Sequence, residues 1–257
     1  MNLIGDNRQV YSGSEFERWA HRSKLELGEP YMVSEVLKAD RRTFEAGCGG
    51  GRLLLELQSR GFKDLHGFDY LPEFIDVARE RDQQKTINYS VQNAIAMDYE
   101  DESFDQAIYL QQVLCFLESE DDRKRAVREA FRVLRPGGTI IASFLAYRSR
   151  VQSLLGRVSL AYFYSLRTIL GRRISMQYWP WLRRGNVFNL GALLDKGPYT
   201  YWIRSGEAAE LFTDAGFKLV GIASDAQIAE GRMVESAESL DRESFRGGLY
   251  VVCEKPA

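Results

Sequence analysis

The sequence has 257 residues, of which 45% are hydrophobic, and a formal net charge of −2. A chain of this size can bury one large core, and its near-neutral charge gives no general reason to expect nucleic-acid binding. The three cysteines form no CxxC pair, so neither a disulfide framework nor a metal site is expected. The first eight residues lack the apolar core of an export signal, which favours a cytoplasmic protein.

Two helices are expected between residues 14 and 39, with Ser14 as the N-cap of the first. From residue 42 onward, short β-branched or aromatic segments alternate with helical patterns, as in the repeated βαβ units of a parallel sheet. The expected strands are 42–46, 65–69, 87–92, 104–110, 138–144, 217–223 and 249–254. The clearest helices are 72–81, 121–134 and 206–215, and Pro136-Gly137-Gly138 is expected to end the second of them. These elements predict an α/β fold with a seven-stranded, mostly parallel, doubly wound sheet.

The segment 146–200 interrupts this alternation. It has nine basic residues and one acid, Asp195, so it carries +8 and leaves −10 for the rest of the chain. It is also rich in Tyr, Trp and Phe. The chain is therefore divided into a helical cap at 1–40, a core at 41–145, a basic and aromatic insertion at 146–200, and the end of the sheet at 201–257.

Several functions remain open for the insertion. It is expected to be a lid over an acidic or aromatic small molecule, a peripheral surface that touches anionic lipid, or a nucleic-acid surface. A solvated arginine face above a small aromatic core is the alternative without a ligand. The lid is favoured because an insertion after the fifth strand would overhang the open edge of the sheet. The charge of −10 elsewhere disfavours nucleic acid.

A glycine-rich segment, Glu45-Ala46-Gly47-Cys48-Gly49-Gly50-Gly51, follows the first predicted strand. Such a turn lets the backbone approach a ligand at the start of the next helix, although it also occurs as a tight turn without a ligand. A dinucleotide fingerprint would require glycine at position 52, where Arg52 stands. Asp69 ends the second predicted strand, about where an acid binds ribose hydroxyls in nucleotide-binding folds, and it is also a candidate N-cap.

Further motifs follow in order: Asn93-Ala94 after the third strand, Ser103-Phe104-Asp105 before the fourth, and Pro136-Gly137-Gly138 before the fifth. Together with the glycine segment and Asp69, they resemble the class I methyltransferases that depend on S-adenosylmethionine (SAM). The resemblance implies a Rossmann-like fold, SAM as the cofactor and S-adenosylhomocysteine as its product. It also implies the residues that contact the cofactor: Glu45, Gly47, Gly49 and Gly51 around the methionine part, Asp69 on the ribose, Tyr70, Asn93 and Ala94 around the adenine, and Gln111 and Gln112 in the cleft.

The methyl acceptor is expected to be an O or N atom of a small, acidic or aromatic molecule. No motif indicates a base, and the weak catalytic candidates by location are Tyr11, His21, Tyr199, Tyr201 and Arg204. Two other functions remain open. One is a non-catalytic SAM-binding scaffold that uses the insertion to hold a partner. The other is a nicotinamide-dependent oxidoreductase on the same plan, which Arg52 disfavours.

Overall fold

A computed structural model describes residues 10–184 and 187–257. The N-terminal segment considered for an export signal lies outside these residues. The strands are β1 (Thr43–Ala46), β2 (Leu65–Asp69), β3 (Asn88–Val91), β4 (Phe104–Tyr109), β5 (Leu134–Phe144), β6 (Tyr178–Pro180), β7 (Arg183–Arg184), β8 (Val187–Phe188), β9 (Tyr199–Tyr201), β10 (Lys218–Ser224) and β11 (Leu249–Glu254). The helices are α1 (Phe16–His21), α2 (Glu29–Tyr31) with a following π-helical turn (Met32–Val36), α3 (Arg52–Ser59), α4 (Pro72–Arg81), α5 (Glu120–Val133), α6 (Tyr147–Gln152), α7 (Leu154–Ile169), α8 (Leu190–Leu193), α9 (Ser205–Thr213), α10 (Asp225–Ala229) and α11 (Ala237–Arg242).

The main sheet has seven strands in the order β3-β2-β1-β4-β5-β11-β10. The first five strands, β1 to β5, are parallel to one another. Strand β11 is antiparallel to both of its neighbours, β5 and β10. This order confirms the predicted fold, a seven-stranded, mostly parallel, doubly wound sheet. Because the order reverses between β1 and β4, their carboxyl ends open a crevice of the kind in which such sheets bind ligands.

Helices cover both faces of the sheet, and the strand residues alternate between two cores. On β5, Ile140 and Ala142 pack into one apolar cluster and Ile141 into the other. The first cluster also contains Phe44, and the second contains Leu54 of α3. A strand that is apolar on both faces is typical of a central position in a parallel sheet.

Every predicted strand of the main sheet and every predicted helix named above occurs in the structure, but two predicted boundaries are wrong. Strand β2 and helix α4 have the predicted bounds. However, Pro136-Gly137-Gly138 does not end α5, because the helix ends at Val133 and the turn lies within β5. There, Gly137 N–H donates to the carbonyl of Lys255, which extends the sheet pairing. Ser14 is not the N-cap of α1, since Glu15 occupies that position. Helices α10 and α11 were not predicted.

The insertion forms its own small unit on the carboxyl edge of the sheet. Helices α6 and α7 are followed by two antiparallel pairs, β6 with β9 and β7 with β8. Arg167 of α7 donates to Asp195 through Nε and Nη2, at 2.9 and 2.7 Å, and both side chains are buried. The same guanidinium also donates to the carbonyl of Tyr178 on β6. Within the described ranges, no helix combines the length and the apolarity needed to cross a membrane.

Candidate active site

The glycine turn lies between β1 and α3 and is joined to the end of β2. Gly47 and Gly49 have φ angles of +66° and +52°, in the left-handed region that favours glycine. A Cβ at Gly47 would lie 2.8 Å from Cγ2 of Val113, so this turn also requires a residue without a side chain. The N–H of Gly49 donates to Oδ2 of Asp69 at 3.1 Å. The first two sequence motifs therefore meet at the sheet edge.

Asp69 is a buried carboxylate held by backbone donors. Its Oδ1 accepts from the N–H of Leu71 at 3.1 Å, and its Oδ2 from Gly49. Burial raises the pKa of Asp69 from 3.8 to about 6, although the backbone hydrogen bonds oppose the shift. The side chain is ionised at neutral pH. A carboxylate has about four acceptor positions, so Asp69 can accept from a further donor, such as a ligand hydroxyl.

A cavity of about 500 Å³ opens in front of these residues. This volume is typical of a site for a small molecule or cofactor. It brings together most of the predicted cofactor residues: Gly47, Gly49, Asp69, Tyr70, Asn93, Ala94 and Gln111. Its wall also includes Tyr11, one of the weak catalytic candidates, and several further residues, among them Trp19, Phe74, Gln92 and Phe116.

Three other predicted cofactor residues do not line this cavity. Glu45 is buried, its Oε2 has no hydrogen-bond partner among the described residues, and burial raises its pKa well above the usual range. Gly51 is the N-cap of α3 with a φ of +76°, and a Cβ there would overlap the hydroxyl of Tyr89. Gln112 lines a smaller cavity of about 290 Å³, which it shares with Gln111.

Arg52 forms an ion pair in place of the third glycine of a dinucleotide turn. Its Nη1 and Nη2 lie 2.5 and 2.6 Å from the two oxygens of Glu29, and both side chains are buried. Glu29 also accepts from Nε2 of Gln111 at 2.7 Å. This network joins the N-terminal cap, the first core helix and the end of β4. The sequence alone did not indicate it, because the three residues lie far apart along the chain.

The cap is also fixed to the glycine turn through Arg81 of α4. Its Nη1 donates to the carbonyls of Ala20 and Gly50, both at 2.7 Å. Gly50 N–H donates to the carbonyl of Trp19 at 3.3 Å, and a Cβ at Gly50 would lie 1.9 Å from the carbonyl oxygen of Ala20. The cap therefore lies directly on the turn and covers the cavity that Gly47 and Gly49 line.

A second cavity, of about 420 Å³, lies between the cap and the insertion. It shares Tyr11, Trp19 and Phe116 with the first cavity, so the two are neighbours along one wall. Its other walls are mainly aromatic and basic: Arg18, Arg150, Trp179, Pro180, Trp181, Leu182, Arg183, Thr200 and Trp202. Among the described residues that line it, Glu15 is the one acid.

Arg150 lies in the wall of this second cavity and forms no ion pair with the described residues. Its guanidinium lies 4.0 Å from the ring centroid of Trp202 and 4.8 Å from that of Trp179. Its Nε is buried without a hydrogen-bond partner in the part of the chain that the structure describes, and burial lowers its pKa. A guanidinium stacked on aromatic rings keeps its edge free for an anion or a carbonyl oxygen.

The weak catalytic candidates occupy different places. Tyr11 lies between the two cavities, with its ring 5.7 Å from that of Phe116, and burial raises its pKa well above the usual range. His21 is exposed on α1, 3.6 Å from a carboxylate oxygen of Glu17. The remaining candidates lie outside both cavities: Tyr199 donates to the carbonyl of Asp195, Tyr201 to Glu207, and Arg204 is exposed beside the ring of Tyr147.

A family model described as a methyltransferase domain matches residues 44–142. A demethylmenaquinone methyltransferase of Deinococcus radiodurans is 28% identical over 140 residues, which cover 52% of this chain and 55% of that protein. A ubiquinone biosynthesis O-methyltransferase of Coxiella burnetii is 26% identical over 196 residues, which cover 75% of this chain and 70% of that protein. The structure of the CcbJ methyltransferase from Streptomyces caelestis has a TM-score of 0.62 at 17% identity, with 100% of this chain and 99% of that chain covered, a likeness of fold.

Proposed function

We propose that the chain is a class I SAM-dependent methyltransferase and that it methylates a hydroxyl oxygen of a small aromatic acceptor that carries an anionic substituent. Arg150 carries this proposal. Its stacked guanidinium, with no hydrogen-bond partner for its Nε among the described residues, lies in a cavity walled by tryptophans beside the cofactor cavity. An aromatic ring suits such walls, and a carboxylate or other anion suits the guanidinium.

The residues of the first cavity fit SAM. Glu45 does not line this cavity, but its buried Oε2 has no hydrogen-bond partner among the described residues, and the cofactor's ammonium group would be a suitable donor to it. Asp69 would accept from the ribose hydroxyls, and Asn93 and Tyr70 would contact the adenine. When bound, SAM supplies a methyl group already activated by its sulfonium. Arg52 is engaged with Glu29 where a dinucleotide turn needs glycine, which argues against a nicotinamide-dependent oxidoreductase.

In the proposed reaction the chain acts mainly by positioning. The walls shared by the two cavities, Tyr11, Trp19 and Phe116, would hold the acceptor oxygen against the methyl group and exclude water. Alignment of this kind supplies about 7–11 kcal/mol in comparable reactions. The acceptor hydroxyl loses its proton as the O–methyl bond forms, and Glu15 is the carboxylate that we propose takes it. Tyr11 stays protonated, because its pKa is raised by burial.

Two relatives support an aromatic acceptor. The names of the Deinococcus and Coxiella proteins refer to menaquinone and ubiquinone synthesis, and the second specifies an O-methyltransferase. The walls of the second cavity, called here the acceptor cavity, come mainly from the cap and the insertion. The proposal therefore takes the aromatic ring from the relatives and the anionic substituent from Arg150.

The test uses isotopically labelled SAM with two matched acceptors, protocatechuate and catechol, which differ in one carboxylate. We expect transfer to protocatechuate with the lower KM. Arg150→Gln should raise the KM for protocatechuate at least about tenfold, since a charge-assisted hydrogen bond contributes about 1.5–3 kcal/mol, and should leave the KM for catechol nearly unchanged. Arg157→Gln, at an exposed arginine of α7, is the matched control.

Equal KM values for the two acceptors in the wild-type enzyme would contradict the role of Arg150. Cofactor binding without transfer to any aromatic hydroxyl would overturn the proposed acceptor class. In that case the non-catalytic scaffold becomes the better interpretation. Glu15→Gln should lower kcat while leaving the affinity for S-adenosylhomocysteine unchanged, which separates proton removal from cofactor binding.

A further inference from the structure

The outer face of α7 is apolar and exposed to solvent. Leu154 and Val158 lie one helical turn apart, and Ile169 shares their face three turns further on. These side chains are 77%, 60% and 80% exposed. Phe163 and Arg167, on the opposite face, are buried. A surface helix of a globular protein normally shows the reverse arrangement, with its apolar stripe towards the core.

The apolar surface continues onto α8 and the turn after it. The hydroxyl of Tyr162 on α7 donates to the carbonyl of Leu193 at 2.5 Å, which holds α8 beside α7. The exposed apolar side chains of this combined surface, called here the outer patch, are Leu154, Leu155, Val158, Tyr162, Ile169, Leu190, Leu193 and Leu194. Contiguous exposed apolar surface of this kind marks an interaction site.

The outer patch is accompanied by cations that the insertion does not neutralise. Arg157, Arg173 and Lys196 are exposed. Asp195, the one acid of the segment 146–200, is buried and engaged by Arg167 and by Arg172. The surface therefore joins apolar side chains to unscreened positive charge.

We propose that the outer patch docks onto a membrane surface that contains anionic lipid. A helix that lies in a membrane interface buries its apolar residues among the lipid chains, while basic residues beside it contact the anionic headgroups. Charge complementarity favours this partner over a second copy of the chain, because two insertions of charge +8 would repel one another. This docking goes beyond methyl transfer and does not depend on the identity of the acceptor.

Docking would also hold the acceptor cavity close to the lipid. The ring of Phe163, on the buried face of α7, packs edge-to-face on Trp179 at 5.3 Å. Trp179 lines the acceptor cavity. One helix diameter, about 10 Å, therefore separates that wall from the outer patch.

Flotation with vesicles tests the proposal. The full-length protein is mixed with vesicles of phosphatidylcholine alone, or of phosphatidylcholine and phosphatidylglycerol, and the bound fraction is measured. We expect binding to the anionic vesicles, reduced at least about tenfold by Leu154→Glu with Leu155→Glu, which removes two apolar anchors. The triple variant Arg157→Gln, Arg173→Gln, Lys196→Gln should bind more weakly and should lose the salt dependence of the wild type.

The matched control is Leu27→Glu with Val220→Glu, two leucine- or valine-to-glutamate changes at exposed sites outside the insertion. It should bind vesicles as the wild type does. All variants should retain affinity for S-adenosylhomocysteine, which shows that they are folded. Absence of wild-type binding to anionic vesicles, or an equal loss in the control, overturns the proposal. So does a wild-type dimer in sedimentation equilibrium that Leu154→Glu with Leu155→Glu converts to monomer, since the patch would then join two copies.

Discussion

The cavity proposed to bind SAM, here the cofactor cavity, and the cavity proposed to bind the acceptor, the acceptor cavity, are neighbours, yet they are built in different ways. The cofactor cavity is formed by strand ends and by short segments next to them. Backbone atoms take part in its polar contacts, as where the N–H of Gly49 donates to Oδ2 of Asp69. The acceptor cavity is formed by side chains of the cap and the insertion, such as Trp19 and Trp179. The geometry of a strand and the turn after it is set by nearby residues, whereas a wall of side chains depends on how distant segments pack.

Near each of the two cavities, a buried arginine–carboxylate pair joins segments that are distant in the chain. On the cofactor side, Arg52 pairs with Glu29 and joins the cap to the core. On the acceptor side, Arg167 pairs with Asp195 and closes the insertion on itself. This comparison predicts that the two sides can be disrupted separately.

The largest effect is expected for Arg52→Met, which leaves Glu29 buried without its cation. The free energy of unfolding, measured by urea denaturation, should fall by about 3–5 kcal/mol. The affinity for S-adenosylhomocysteine should fall as well, because Gln111 depends on the same carboxylate. Arg60→Met, at the exposed end of α3, should change the stability by less than about 1 kcal/mol. A small effect of Arg52→Met would remove the distinction between these two arginines.

Asp195→Ala should loosen the insertion and leave the cofactor side intact. Arg167 would lose its buried partner, at a cost of about 3 kcal/mol, so the amides of β6 and β9 should exchange hydrogen roughly a hundredfold faster. The affinity for S-adenosylhomocysteine should stay within about twofold, as judged by calorimetry. Lys196→Ala, at the next position and exposed, is the control. A large loss of cofactor affinity would show that the two sides are coupled.

Asp69→Ala should do the opposite and spare the insertion. The dissociation constant for S-adenosylhomocysteine should rise about thirtyfold to a hundredfold, because hydrogen bonds to a carboxylate are lost in a buried site. Hydrogen exchange in β6 and β9 should not change. Asp76→Ala, at an exposed acid of α4, should retain the wild-type affinity. Wild-type affinity in Asp69→Ala would exclude this residue from the cofactor site.

The smallest effect is a pH dependence of cofactor binding. Since burial raises the pKa of Asp69 from 3.8 to about 6, protonation competes with its role as an acceptor below about pH 6. Affinity for S-adenosylhomocysteine should therefore be steady above that value and fall by up to about tenfold per pH unit below it. Asp69→Asn should bind more weakly and lose this dependence. The raised pKa also means that the folded protein gains a proton before the unfolded chain does, so this group favours folding increasingly as the pH falls from about 6 to about 4.

Local signals predicted most of the core. Strands β1 and β2 follow from short β-branched or aromatic segments that alternate with helical patterns, and the bounds of α4 follow from Pro72 at its first turn. Seven of the predicted cofactor residues line one cavity, although their roles stay predictions until binding is measured. The prediction that Pro136-Gly137-Gly138 ends α5 was wrong because the turn pairs with Lys255, which is more than a hundred residues away in the chain.

By itself, the sequence determined the strands of the sheet, the glycine turn and Asp69, the acid that accepts a hydrogen bond from that turn. Those features depend on periodicity, on positive φ angles and on short spacings, all of which are local properties. Only the tertiary structure decided what Arg52, Arg150 and the outer face of α7 do. A guanidinium looks the same in a sequence whether it is paired with Glu29, stacked on Trp202 or exposed. Its partner is set by packing between segments that are far apart along the chain.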